Sequence, residues 1–172
     1  MGLKNLFEEH IHILLANTEQ ILQELKLVGL VIGAGSTQVH FEDDQDLAFR
    51  SNHHFRHWTP LEGPHHLIVI RPGKKPILRV FKPADFWYEV KPLTPEFWVS
   101  VFQIEIHDQL EPIWKNLFVP TERVAYHGPD SERAKEAGLL VGLEGLIQRL
   151  NWNRLYKTVY EQQCLVDATR IA

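Results

Sequence analysis

The sequence is poor in cysteine, in long apolar runs and in clustered basic charge. A single cysteine, Cys164, excludes an internal disulfide and is typical of a reducing compartment. No apolar run is long enough for a signal peptide or a membrane span, so we expect a cytoplasmic protein with no membrane partner. The formal net charge is −4 and no run of Lys or Arg occurs. These features argue against a nucleic-acid partner.

Apolar residues are nevertheless abundant. The chain has 172 residues, of which 44% are hydrophobic, and nine Phe and five Trp supply large apolar groups. This length fits one domain of ordinary size. Such a chain can bury a core that needs neither a disulfide nor a metal to hold it.

The order of the periodic segments indicates an α/β fold. Apolar residues at helical spacing predict a long helix over 3–26, and a buried strand follows at 27–32. A hairpin is predicted from strands 66–71 and 76–81, which flank Pro72-Gly73. Further strands are expected in the second half of 97–106 and at 123–126. Shorter helices are expected at 108–117, 130–137 and 143–150, a final helix at 157–172, and irregular structure at 42–64 and 83–95.

Candidate phosphate and nucleophile motifs are incomplete. The segment Gly33-Ala-Gly35-Ser36 follows a strand but lacks the remaining residues of a dinucleotide fingerprint or a P-loop, which favours a structural turn. Ser36 also lacks the G-x-S-x-G elbow of hydrolases. Cys164 lies in a helical apolar pattern, where we expect a buried, inert thiol.

Candidate metal ligands are present but do not form a recognisable motif. Histidines cluster at 53–57 and at 65–66, yet no HExxH motif accompanies them. Surface or hydrogen-bonded histidines are therefore favoured over ligands. The acidic cluster at 42–46 favours a cap or turn over an ion site. We accordingly predict no catalytic residue, no metal ligand and no cofactor in this chain.

Several aromatic and proline-rich segments together resemble a known family. They are Val39-His-Phe41-Glu-Asp43-Asp44, Phe55-Arg-His-Trp58-Thr-Pro60 and Pro83-Ala-Asp85-Phe-Trp87-Tyr88. This set resembles the N-terminal domain of bacterial Xaa-Pro dipeptidases, the prolidases, a family related to organophosphorus acid anhydrolases. The likeness covers nearly the whole chain and is densest between Phe41 and Val90.

The resemblance implies a fold and a parent enzyme. The fold would be the ribonuclease-H-like three-layer sandwich of creatinase N-terminal domains, a mixed β-sheet flanked by helices, over residues 1–156. Residues 157–172 would begin a linker helix toward a C-terminal catalytic "pita-bread" domain. That domain would contain two manganese ions with all their ligands, and the parent would hydrolyse dipeptides that end in proline.

The resemblance also implies partners and a site. The domain would contact its own catalytic domain and help to form a homodimer, and it would contribute to the rim of the partner subunit's substrate pocket. Asp44 rather than Asp43 would contact the substrate there, and Asp43 is the second candidate for the rim. Phe41, Trp58 and Trp87 would pack the loop that presents the carboxylate, unless they belong to the core.

Two alternatives remain open from the sequence. One is a free-standing interaction module with the same fold and no enzymatic activity. The other is a nuclease, which the ribonuclease-H-like topology suggests. The net charge disfavours the nuclease, and topology alone does not establish a function.

Overall fold

The computed structural model describes residues 2–38, 42, 47–84 and 96–171. Within them five strands form one mixed sheet in the order β4-β3-β2-β1-β5. Neighbours β1/β2 and β2/β3 are antiparallel, whereas β1/β5 and β3/β4 are parallel. The predicted hairpin and the other predicted strands are confirmed. Their bounds are β1 Gly29–Gly33, β2 Leu67–Ile70, β3 Ile77–Phe81, β4 Gln103–His107 and β5 Val124–His127.

In the part of the chain that the structure describes, six α-helices connect and flank these strands. The predicted helices are all present, although their ends differ by a few residues. Among the described residues, none of the helices combines the length and apolarity needed to cross a bilayer. Their bounds are α1 Leu3–Glu24, α2 His53–Trp58, α3 Leu110–Trp114, α4 Ser131–Glu136, α5 Glu144–Asn153 and α6 Val159–Ile171.

Helix α2 corrects the expectation that residues 42–64 are irregular. Asn52 occupies its N-cap, where the side-chain oxygen accepts a hydrogen bond from the backbone N–H of His54 at 3.0 Å. Asparagine is among the best N-cap residues because it satisfies a donor that the first turn leaves free. The helix has only six residues, too few to show a helical period in the sequence, and its burial against the sheet stabilises it.

Helices cover both faces of the sheet. Leu30 and Ile32 of β1 belong to a core cluster with side chains from α1, α2 and α5. Val31, which points the other way, belongs to a second cluster with side chains from α3 and α4. Successive strand residues face opposite sides, so β1 is buried along its whole length. The expected three-layer α/β sandwich is confirmed.

Trp58 lies in the first of these clusters and is only 3% exposed. It is therefore a core residue of the domain. Its predicted role in supporting the rim loop stays a prediction. Phe41, Asp43, Asp44 and Trp87 lie outside the described residues.

The buried Arg79 joins the sheet to α3. It stands opposite Glu105 in the β3/β4 register, and its Nε donates to Oε2 of Glu105 at 2.8 Å. Its Nη1 donates to the carbonyl oxygens of Ile113 and Lys115, at 2.8 and 2.7 Å. Those carbonyls belong to the last turn of α3, whose partial negative charge favours a cation. One guanidinium thus pairs with a neighbouring strand and caps a helix.

We expect Arg79→Ala to lower the free energy of unfolding by about 3 kcal/mol, because it leaves buried carbonyls and a carboxylate without their partner. Arg149→Ala is the matched control. Its guanidinium also bonds a glutamate, Glu24, but those side chains are 43% and 44% exposed. Its loss should cost less than about 1 kcal/mol. Urea denaturation of both variants tests the difference, and equal losses would contradict the role assigned to Arg79.

Candidate functional site

The segment that would present Asp44 leaves the sheet at the end of β1. The backbone N–H of Leu47 donates to the carbonyl oxygen of Gln38 at 2.7 Å. This bond brings together the two ends of the segment 39–46, which includes the predicted rim residues. We call the described residues on either side of it the loop stem, 34–38 and 47–52.

The stem is attached to the strand that precedes it. The backbone N–H of Asn52 donates to the carbonyl oxygen of Ala34 at 2.8 Å, and its side-chain amide donates to that of Gly33 at 3.3 Å. The same Asn52 side chain caps α2 through its oxygen. Asn52 therefore uses three hydrogen bonds to hold the returning chain against β1 and to start the next helix.

A second attachment links the stem to α4. The Ser36 hydroxyl donates to Oδ1 of Asp130 at 2.7 Å. Asp130 occupies the N-cap of α4, but its side chain caps no helix N–H. Its own N–H donates to the hydroxyl oxygen of Tyr126 at 3.2 Å. Ser36 thus has a structural partner, in agreement with the predicted structural turn.

Two of the clustered histidines have structural partners too. His54 is buried, and its Nε2 lies 3.0 Å from Oδ1 of Asn151, to which it donates. Burial, with His127 at 4.5 Å between ring centroids, lowers the pKa of His54 to about 3. Burial likewise lowers the pKa of His66 to about 4, and its Nδ1 accepts from the N–H of Phe81. Both rings are neutral at pH 7.

A different polar cluster joins α6 to the rest of the domain. We call it the α6 junction, and its members are His10, His57, Thr158 and Glu161. His10, on α1, donates through Nε2 to the carbonyl oxygen of His57 at 2.8 Å. Its Nδ1 then carries a lone pair, which faces the Thr158 hydroxyl at 2.8 Å. One buried imidazole therefore connects three helices.

Thr158 and Glu161 form a capping box at the start of α6. The N–H of Thr158 donates to Oε2 of Glu161 at 2.9 Å, and the N–H of Glu161 lies 3.3 Å from the Thr158 hydroxyl. The Thr-x-x-Glu spacing is a readable sequence signal for this helix start, and our sequence analysis missed it. No local pattern shows that His10 meets the box, because 148 positions separate it from Thr158.

The electrostatics of the junction keep Glu161 ionised. Burial alone would raise the pKa of Glu161, but the His57 imidazole and the N–H of Thr158 lower it to about 2. Oε1 of Glu161 lies 3.3 Å from Nε2 of His57. Burial lowers the pKa of His10. At neutral pH the junction thus combines one carboxylate with a neutral His10 ring.

The expected buried thiol at Cys164 is a wrong prediction. Cys164 is exposed, and no described residue of α6 is buried. Helix α6 contacts the domain near its start, where Tyr160 packs against Phe7 at 5.0 Å between ring centroids. Its apolar pattern continues beyond that contact. The pattern indicated an apolar face correctly, but that face has no cover within the described residues.

Comparison with known sequences assigns the family. The profile of the Xaa-Pro dipeptidase N-terminal domain matches residues 5–152. The chain belongs to the family of Xaa-Pro dipeptidase N-terminal domains. The Xaa-Pro dipeptidase of Aeromonas hydrophila is 38% identical over 168 residues, which are 96% of this chain. That of Pseudoalteromonas haloplanktis is 36% identical over 169 residues, or 97% of it.

The chain spans only part of these relatives. The aligned region is 38% of the length of each of the two dipeptidases. The family profile ends at residue 152, so α6 lies beyond it, whereas both relatives align over nearly the whole chain. Membership in the dipeptidase family therefore describes this chain as an N-terminal domain.

We expect acidification to destabilise this domain through His54. Between pH 7.5 and pH 5, an unfolded His54 with the usual pKa of 6.5 takes up a proton, whereas the folded one, with a pKa of about 3, does not. The unfolded state binds more protons, so stability falls as pH falls, by about 1–2 kcal/mol for this group. Urea denaturation at both pH values should show a smaller fall for His54→Gln. An identical fall in the free energy of unfolding for the unsubstituted chain and for His54→Gln would contradict the role assigned to His54.

Proposed function

We propose that this chain is the non-catalytic N-terminal domain of a cytoplasmic, metal-dependent Xaa-Pro dipeptidase that hydrolyses dipeptides with a C-terminal proline. The observation that carries the proposal is the extent of the match. Nearly all of this chain aligns with proteins named Xaa-Pro dipeptidase, yet it covers 38% of their length. The remaining length of such a protein has room for a separate catalytic domain.

The described residues do not fit a two-manganese centre. Manganese prefers oxygen ligands, and a two-metal centre needs several ligands that hold both ions. Within residues 2–38, 42, 47–84 and 96–171, three or more candidate ligands converge only at His10, His57 and Glu161. One carboxylate and two imidazoles cannot hold two ions. The two manganese ions of the proposed parent would therefore be bound by its C-terminal domain.

The exposed apolar residues support a docked catalytic domain. Seven large apolar side chains between residues 152 and 171 are 45% to 88% exposed. Exposed apolar side chains that are concentrated in one stretch of the chain are available for contact with another domain. We call these residues the C-terminal apolar set: Trp152, Leu155, Tyr156, Val159, Leu165, Val166 and Ile171. It includes the helix that would lead into the next domain, so the chain's own catalytic domain is the partner that we propose for it.

The rim role of Asp44 forms the second half of the proposal. The loop stem is attached to β1 by Asn52 and to α4 by the Ser36–Asp130 bond. A segment with both ends fixed can present a side chain to a neighbouring molecule at low entropic cost. In the proposed homodimer, the Asp44 carboxylate would hold the free amino group of the dipeptide in the partner subunit's pocket through a charge-assisted hydrogen bond.

In the complete dipeptidase with manganese, we expect Asp44→Asn to lower kcat/KM for Ala-Pro by about 10- to 100-fold. This is the contribution expected of one hydrogen bond to a charged group. Asp43→Asn is the matched control and should change kcat/KM less than about threefold. Steady-state kinetics of the two variants tests the assignment. An unchanged value for Asp44→Asn would remove this role. Absence of Ala-Pro hydrolysis by the unsubstituted complete protein would instead contradict the proposed activity.

The docking proposal predicts a context-dependent effect of Val159→Asp. Val159 and Val119 are 57% and 59% exposed, so either substitution by Asp should change the stability of this chain by less than about 0.5 kcal/mol. In the complete protein, Val159→Asp places a charge in the proposed interface and should lower the melting temperature, whereas Val119→Asp should not. Differential scanning calorimetry of the two variants, in this chain and in the complete protein, measures the melting temperatures. Equal shifts for Val159→Asp and Val119→Asp in the complete protein would contradict docking at Val159.

A further inference from the structure

The α6 junction contains a polar atom that its hydrogen-bond network does not use. The His57 side chain is 9% exposed, and its Nε2 is buried without a hydrogen-bond partner. It lies 3.3 Å from Oε1 of Glu161, but not in the geometry of a hydrogen bond. Leaving a buried nitrogen unsatisfied is costly. Nε2 of His57 faces the Glu161 carboxylate. A nitrogen and a carboxylate oxygen placed in this way can bind the same cation.

His10 supplies a third ligand atom. The carbonyl oxygen of His57 can only accept, so it fixes the proton of His10 on Nε2 and leaves the lone pair on Nδ1. Metal-binding histidines commonly donate their second nitrogen to a carbonyl in this way. The candidate ligand atoms of His10, His57 and Glu161 all lie within 4.8 Å of one another. Tetrahedral zinc needs its ligands roughly 3.3 Å apart, which requires side-chain shifts on the order of 1 Å.

The remaining hydrogen bonds survive when a cation enters. The Thr158 hydroxyl faces Nδ1 of His10, but it also lies 3.1 Å from Oε2 of Glu161 and can donate there instead. Oε2 keeps the capping box, which leaves Oε1 for the ion.

We propose that His10, His57 and Glu161 bind one divalent zinc-like transition-metal ion. Two imidazoles and one carboxylate are typical zinc ligands. An open groove of about 570 Å³ borders all three residues and gives water access to the fourth position. The ion would link α1, α2 and α6, so it would hold the start of α6 against the other two helices.

Three basic residues, Arg56, Arg154 and Lys157, line the same groove. Arg56 lies 3.9 Å from Glu62, and the Lys157 ammonium bonds the carbonyl of Arg154. Their repulsion weakens the binding of a cation, and a site with three protein ligands is weaker than one with four. We therefore expect a dissociation constant in the micromolar range rather than the nanomolar range.

The test uses this chain after removal of metals with a chelator. Calorimetric titration with Zn²⁺ should give one ion per chain, and an excess of about 100-fold over the dissociation constant should raise the melting temperature by about 5 °C. Bound Co²⁺ should show the visible absorption of a tetrahedral site with nitrogen and oxygen ligands. No Zn²⁺ binding by the unsubstituted chain would overturn the proposal.

Four variants test the assignment of His57 and Glu161 as ligands. His57→Ala and Glu161→Gln should lose Zn²⁺ binding, and glutamine at 161 keeps the capping box. His53→Ala and Cys164→Ser remove other potential ligands that line the same groove. Both variants should bind Zn²⁺ as tightly as the unsubstituted chain does. Circular dichroism of the metal-free variants checks that each is folded. Binding that is lost with Cys164→Ser or His53→Ala, or retained with His57→Ala, would overturn the assignment.

Discussion

The burial of β1 and β2 on both faces is the constraint on which the domain depends. Every residue of these two strands is buried, so neither strand can be stable until helices cover both sides of the sheet. Helices α1, α2 and α5 supply one cover, and α3 and α4 supply the other. The short α3 needs the Arg79 guanidinium to hold its last turn. The sandwich therefore forms as one cooperative unit.

Regular apolar patterns that extend over whole elements made most of this architecture predictable. The helical spacing of apolar residues in α1 and the continuous apolar runs of β1 and β2 are strong signals because each residue reports the same environment. The short α2 had no such signal. It forms because Asn52 caps it and because Phe55 and Trp58 are buried in the core. A helix whose stability comes from tertiary contacts is hard to predict from its own six residues.

The candidate sites were less predictable than the fold, for a related reason. The rim prediction rested on a resemblance, and the described structure adds the stem contacts of Ser36 and Asn52, which no local motif encodes. In the α6 junction, only the Thr158–Glu161 capping box had a sequence signature. His10 and His57 reach it from two other helices. These side chains meet only because α1, α2 and α6 pack together in the folded domain, so no single segment of the sequence shows it.

The position of α6 connects these observations. Its first turn is held by the His10–Thr158 contact and by Tyr160 against Phe7, whereas its later apolar residues are exposed. A helix that is attached at its start and uncovered further on adopts an orientation set by the junction. If a catalytic domain follows α6, the contacts of one buried imidazole help to set how that domain lies against this one. A change in the junction, by substitution or by a bound cation, would then change the relative position of the two domains.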